Sequence, residues 1–176
     1  MKNGDTPTLQ RFVEVLREKS AITEPLHGFF SATTLLVPMP RSAPLVKGAL
    51  WPAQKICDAM AAAGFGRTAP LLERFVAVPK SAFARPGERP TVPVHFASLR
   101  MAQLDVAGRD LVVVDDIITR GNSVLAAASR LAEHLPQARV RAFAVIRTRS
   151  NQEISEIIDP VTGTITLFLD NGHRDP

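Results

Sequence analysis

The chain of 176 residues has no tyrosine, one tryptophan and one cysteine. A lone Cys57 excludes an internal disulfide framework and a multi-cysteine zinc site. It lies in an apolar helical stretch, where a buried thiol is expected. Aromatics make up 6% of the sequence and do not interleave with basic residues as they do on a single-strand platform. A nucleic-acid partner is therefore not favoured. No apolar run is long enough to cross a membrane and no signal-like stretch opens the chain. A cytoplasmic protein without a membrane partner is expected. Charge of one sign does not dominate either. The net charge of +4 suits anionic metabolites. Length and an apolar content of 45% suit one domain, residues 1–176, with a sizeable core.

What is present centres on Leu111 to Val124, LVVVDDIITRGNSV. The branched run before Asp115 reads as a strand buried on both faces. The strand is expected to end at Asp115 and Asp116, because neighbouring strand residues point to opposite faces. Only where the chain bends can both carboxylates reach one ribose. Ile117 and Ile118 follow, then the loop Thr119, Arg120, Gly121, Asn122 and Ser123. Val124, Ala128, Leu131 and Leu135 share a face of the helix beyond. A helix N-terminus offers unpaired N–H groups to a phosphate, Gly121 allows close approach, and hydroxyls add donors. Carboxylates accept bonds from a vicinal diol. The blander reading is a buried strand ending in an Asp-rich turn, with Asn122 or Ser123 as a helix cap. It accounts for one cap but not for two carboxylates ahead of a phosphate loop.

Residues 7–19 read as an amphipathic helix and Thr34 to Val37 as a short buried strand. The strand runs into PMPRSAPLVKG, where Arg41, Ser42, Lys47 and Gly48 suit a diphosphate. A helix over about Leu50 to Ala63 follows, then a strand over Phe75 to Val78. The Pro-broken stretch from Lys80 to Thr91 is basic, with Lys80, Arg85 and Arg89. Val94 to Phe96 reads as a strand returning to the sheet, with His95 a weaker candidate for a proton or phosphate contact. Val106 to Gly108 reads as a turn, Val140 to Ile146 as a buried strand and Asn151 to Ile157 as a short helix. Thr162 to Asp170 reads as a last strand, and Asn171 to Pro176 as a polar tail. Alternating strands and helices predict an α/β fold with a doubly wound parallel sheet. Ligands sit at the carboxyl edge of such sheets, where three of these loops would converge.

The Leu111–Ser123 stretch resembles the PRPP-binding loop of type I phosphoribosyltransferases, and the likeness in element order runs from about Leu35 to Thr148. Arg120 stands where a second Thr is common in the family. The VPMP opening, Lys47-Gly48 and the TRGNS loop are most similar to the ComF-type, amidophosphoribosyltransferase-like branch. The Cys-rich zinc segment of many such proteins is missing. The resemblance implies a core over about 31–150 and a small hood from about 1–30 and 151–176. It implies nucleotide metabolism, with PRPP and magnesium as ligands, the ion arriving through PRPP and water and not on protein ligands. A nitrogen nucleophile, base or amine, would displace pyrophosphate. Asp115 and Asp116 would hold the ribose hydroxyls, Thr119 to Ser123 the 5′-phosphate, and Arg41 and Lys47 the diphosphate, with Ile117, Ile118, Ser42 and Gly48 also among the PRPP-binding residues. Lys80, Arg85 and Arg89 would arrive with a closing loop. A homodimer is left open. The alternative is a PRPP- or nucleotide-binding regulator, or a DNA-uptake accessory, without turnover.

Overall fold

Leu111, Val112, Val113 and Val114 are all fully buried, and the fold is arranged about them. The structure is a computed structural model that describes residues 6–22, 24–79, 89–102, 110–148 and 160–175. In chain order its elements are α1 (Thr6–Ile22), β1 (Leu35–Pro38), α2 (Pro52–Ala62), β2 (Arg67–Thr68), β3 (Leu72–Arg74) and α3 (Val92–Ala97). Then come β4 (Leu99–Met101), β5 (Asp110–Ile118), α4 (Asn122–His134), β6 (Arg139–Arg147), β7 (Thr164–Phe168) and β8 (Asn171–Asp175).

β2, β1, β5 and β6 form, in that order, a four-stranded parallel sheet. Side chains alternate across it. Leu35, Val37, Leu111 and Val113 pack with Val124, Ala127 and Leu131 of α4. Leu36, Val112 and Val114 pack on the other face with Leu9 and Leu16 of α1 and Ile56, Cys57 and Met60 of α2. With helices on both faces the sheet is doubly wound, as the sequence pattern predicts. Each large side chain so buried stabilises by roughly 1.5–3 kcal/mol, which is why the run cannot face water. Burial also pushes the Cys57 thiol well above its ordinary pKa, which suits an inert core residue.

Four expectations are corrected. Phe75 to Val78 is not a strand, and Phe75 and Val76 lie exposed. The strand is β3, which pairs antiparallel with β4 in a separate two-stranded sheet. Its inward positions are Leu72 and Arg74, so a cation stands where the pattern calls for an apolar residue. Second, Val94 to Phe96 belongs to α3 and is not a strand. Pro93 suits a first helical turn, and Val92 and His95 are buried at a spacing of one turn. Third, β5 does not end at the carboxylates but continues through Ile118. Fourth, Asn171 to Asp175 is not a tail. It is β8, paired antiparallel with β7 across a turn at Leu169 and Asp170, both at positive φ (44° and 62°). The expected turn at 106–108 and helix at 151–157 lie outside the described residues.

Candidate active site

β1 and β5 run side by side only as far as Pro38 and Val114. Met39 N–H donates to the Val114 carbonyl (2.9 Å), and the chain after β1 then leaves the sheet beside Asp115. β5 continues with β6 as its neighbour, Asp115 opposite Ala144 and Ile117 opposite Ile146. The two carboxylates thus lie at the carboxyl edge of the sheet, on a strand no longer covered by β1. The Asp115 carboxylate turns back along the chain, and its Oδ1 accepts the backbone N–H of Asp116 (2.9 Å). Burial, and then the Asp116 charge, push the Asp115 carboxyl up to about 7. Near neutral pH Asp115 is therefore only partly ionised, and a ligand bringing hydroxyl donors or a cation would draw out its charge.

Beyond the carboxylates, Ile117 and Ile118 stay in the strand, and the Ile118 carbonyl accepts Thr148 N–H (3.0 Å). Thr119 and Arg120 are exposed, and Ser123 is half-buried. Gly121 adopts φ +88 immediately before α4, and its carbonyl accepts Leu125 N–H (2.8 Å). The positive φ favours glycine at 121, and a Cβ there would also stand 2.8 Å from Ile165 Cδ1, so the Ile165 side chain would have to shift. Asn122 is buried, and its side chain is committed within the protein. Nδ2 donates to the Pro90 carbonyl (2.9 Å) and to Asn171 Oδ1 (3.1 Å), while Oδ1 accepts Gly172 N–H (2.7 Å). Only its backbone N–H remains to serve a phosphate.

The loop after β1 is pinned by its carbonyls. Trp51 Nε1 donates to Met39 O (2.7 Å), Arg74 Nε to Arg41 O (2.8 Å) and Val78 N–H to Ser42 O (2.7 Å). Arg41 and Ser42 are half-buried, whereas Lys47 and Gly48 are exposed, Gly48 at φ +79. Arg74 is missing from the sequence-based site. It is 5% exposed, donates also to Ser98 Oγ, and forms no salt bridge among the described residues. Burial lowers it to about 10, still protonated at neutral pH. An unpaired buried cation directly behind the Arg41 peptide favours an anion at this loop. Its sequence signal is an inward-facing charge in the alternating Leu72-Glu73-Arg74. His95 packs nearby with both ring nitrogens unpartnered, lowered to about 4 by burial and then by Arg74. At neutral pH it is an uncharged, buried side chain.

A cavity of about 450 Å³ opens between the loop that joins β5 to α4 and the β7–β8 hairpin. Thr119 and Arg120 line one side, and Phe168, Leu169, His173 and Arg174 the other. A profile of the phosphoribosyl transferase domain matches residues 47–171. The chain belongs to the phosphoribosyl transferase domain family. A solved structure described as the glutamic acid mutant in an analysis of an invariant aspartic acid in HPRTs is similar over 87% of this chain and 72% of that one. Its identity is 13% and its TM-score 0.36. No curated protein matches the chain.

As a member of the phosphoribosyltransferases the chain is an enzyme of phosphoribosyl transfer. The family match takes in Lys47, Gly48, Arg89 and the whole of Asp115 to Ser123, while Arg41 and Ser42 lie just ahead of it. In this phosphoribosyltransferase the loops after β1 and β5 share one sheet edge. The basic stretch instead follows β3 and Val78, outside the main sheet, and so does not leave a strand end of that sheet. Lys80 and Arg85 lie outside the described residues. Arg89 is half-buried with Nε unpartnered, next to the Pro90 carbonyl that Asn122 holds. Among the described residues no helix is long and apolar enough to cross a membrane.

Proposed function

We propose that the chain transfers ribose 5-phosphate from PRPP to a ring nitrogen of a heterocyclic base and releases pyrophosphate. The observation that carries this is the adjacent Asp115–Asp116 pair, set between the pinned Arg41–Gly48 loop and the N-terminus of α4 on one sheet edge. The carboxylates accept the two ribose hydroxyls, each such bond being worth about 1.5–3 kcal/mol. Backbone N–H groups and hydroxyls of Thr119 to Ser123 take the 5′-phosphate. Arg41 and Lys47, with Arg74 behind them, face the diphosphate. In the reaction the C1–O bond to diphosphate breaks as the N–C1 bond forms. The electron pair leaves with pyrophosphate, and the nitrogen's proton goes to solvent. The site acts by holding the sugar still and by meeting charge as it moves to the leaving group.

Among the described residues no group of three or more His, Cys, Asp or Glu could hold a metal. Two adjacent carboxylates suit an ion that arrives on the diphosphate with water as its other ligands, and magnesium belongs to the substrate in this reading. When bound it neutralises diphosphate charge. The cavity beside Thr119 is far larger than ammonia needs, and Phe168 and Leu169 give it an apolar wall, which favours a ring. Within the family, the VPMP opening, Lys47-Gly48 and the TRGNS loop support a ComF-type relative. The test is PRPP titration by calorimetry with magnesium, and pyrophosphate release with a panel of bases. Asp115→Asn with Asp116→Asn should lower PRPP affinity at least 100-fold. Unchanged affinity in a folded double variant would remove the assignment.

A further inference from the structure

Asn122 is the first residue of α4, and yet among the described residues its side chain makes no hydrogen bond to that helix. Its three bonds reach the segment before α3, through Pro90, and the start of β8, through Asn171 and Gly172. Both Nδ2 hydrogens are used and Oδ1 faces an N–H. Turned over, the amide would set its NH₂ against Gly172 N–H and its oxygen against two other oxygens. Aspartate would do the same on one side, with charge added. Asparagine therefore suits this position for reasons other than a helix cap. A Cβ on Gly172 would stand 2.8 Å from the Arg120 carbonyl, so β8 lies directly on the phosphate loop. Ile165 closes on Gly121 from β7, and Asp170 O accepts Val92 N–H (2.9 Å) at the turn. The hairpin that walls the cavity is thus fastened to the loop that would grip the 5′-phosphate.

We propose that Asn122 is a positioning residue: its carboxamide locks the β7–β8 hairpin onto the phosphate loop, so that filling the phosphate cradle also sets the shape of the adjoining acceptor cavity. This rests on the reading of Thr119 to Ser123 as the 5′-phosphate site. Ribose 5-phosphate fills the cradle alone. A nucleoside 5′-monophosphate fills the cradle and the cavity. Ordering Arg120 to Ser123 around a phosphate stiffens Asn122, and through it Asn171 and Gly172.

The experiment compares wild type, Asn122→Ala, Asn122→Asp and Gly172→Ala by hydrogen exchange of residues 164–175, with and without ribose 5-phosphate. Affinities for ribose 5-phosphate and for AMP, GMP, CMP and UMP are measured alongside. In wild type, ribose 5-phosphate should slow exchange of the hairpin at least 5-fold, and at least one monophosphate should bind 10-fold tighter than ribose 5-phosphate. Asn122→Ala should lose the hairpin protection and most of that ratio, the preferred monophosphate losing at least 5-fold more affinity than ribose 5-phosphate, whereas Asn122→Asp should lose the protection and, by setting a charge beside the phosphate, weaken both ligands. Gly172→Ala leaves Asn122 in place and pushes the hairpin off from the other side, so it should give the same result if an Asn122 variant fails to fold. Equal hairpin protection in wild type and variants, or none in wild type with ribose 5-phosphate bound, overturns the coupling. Protection in wild type with no monophosphate exceeding ribose 5-phosphate leaves the coupling standing and removes the cavity as the base's site. Failure of ribose 5-phosphate to bind at all removes the phosphate-site reading and this inference with it.

Discussion

Replacing Asp115 by asparagine should make the protein more stable and less able to bind PRPP. Folding raises this carboxyl from 3.8 to about 7, so the native state holds a proton that the unfolded chain releases. Between those two values the native state binds more protons than the unfolded one. Stability therefore falls as pH rises through that window and levels off above it. The full shift corresponds to about 4 kcal/mol at alkaline pH. Asp115 keeps some contact with solvent, so about 2–4 kcal/mol is the expected range. Asparagine keeps the shape and an acceptor for Asp116 N–H and has no charge to desolvate. Urea unfolding of the ligand-free protein should give Asp115→Asn an advantage of about 2–4 kcal/mol at pH 8 and less than about 1 kcal/mol at pH 4. The variant should also lose most of its PRPP affinity, which ties the strain to the function. A variant destabilised at pH 8, or an advantage that does not change with pH, would refute the reasoning.

His95 should act in the opposite sense. Its value is lowered from 6.5 to about 4, so stability is lost as pH falls through that window, and His95→Phe should abolish this acid loss in unfolding curves. In wild type the two trends offset between pH 4 and 6.5, and Asp115→Asn should expose the His95 loss. Arg74→Met, similar in volume, should leave the melting temperature within a few degrees. It should weaken PRPP about 10-fold while sparing ribose 5-phosphate, as calorimetry would show. Gly121→Ala should cost about 1–3 kcal/mol through its positive φ and the clash with Ile165. Adding Ile165→Ala should recover part of that loss in denaturant melts, since it clears the clash but not the φ.

The strand and the helix within Leu111 to Val124 could be read from sequence because their signals are local, although the strand runs past the carboxylates to Ile118. A buried branched run, two adjacent acids, a glycine at a turn and a helical face all lie within one window. What could not be read depends on distant partners or on atypical turn chemistry. Leu169 and Asp170 make a tight turn at positive φ without the glycine or asparagine that usually marks one, so β7 and β8 looked like a strand and a tail. Asn122 looked like a phosphate ligand or a cap, since its partners lie 32 to 50 residues away. β3 was displaced by a few residues because Arg74 faces inward and the apolar Phe75 and Val76 face outward.

The hairpin has a further consequence for how such an enzyme can change. Leu167, Phe168 and Leu169 are 59%, 66% and 80% exposed and belong to neither core cluster. Ile165, Asn171 and Gly172 carry the fastening instead. Substitutions at the three tip positions therefore cost the fold little, and they leave β5 and α4, which carry the proposed sugar and phosphate contacts, unaltered. In the proposed reading, selection can rewrite which acceptor is taken at the tip of one ribbon and leave the proposed PRPP site untouched, provided that Asn122 and Gly172 are kept.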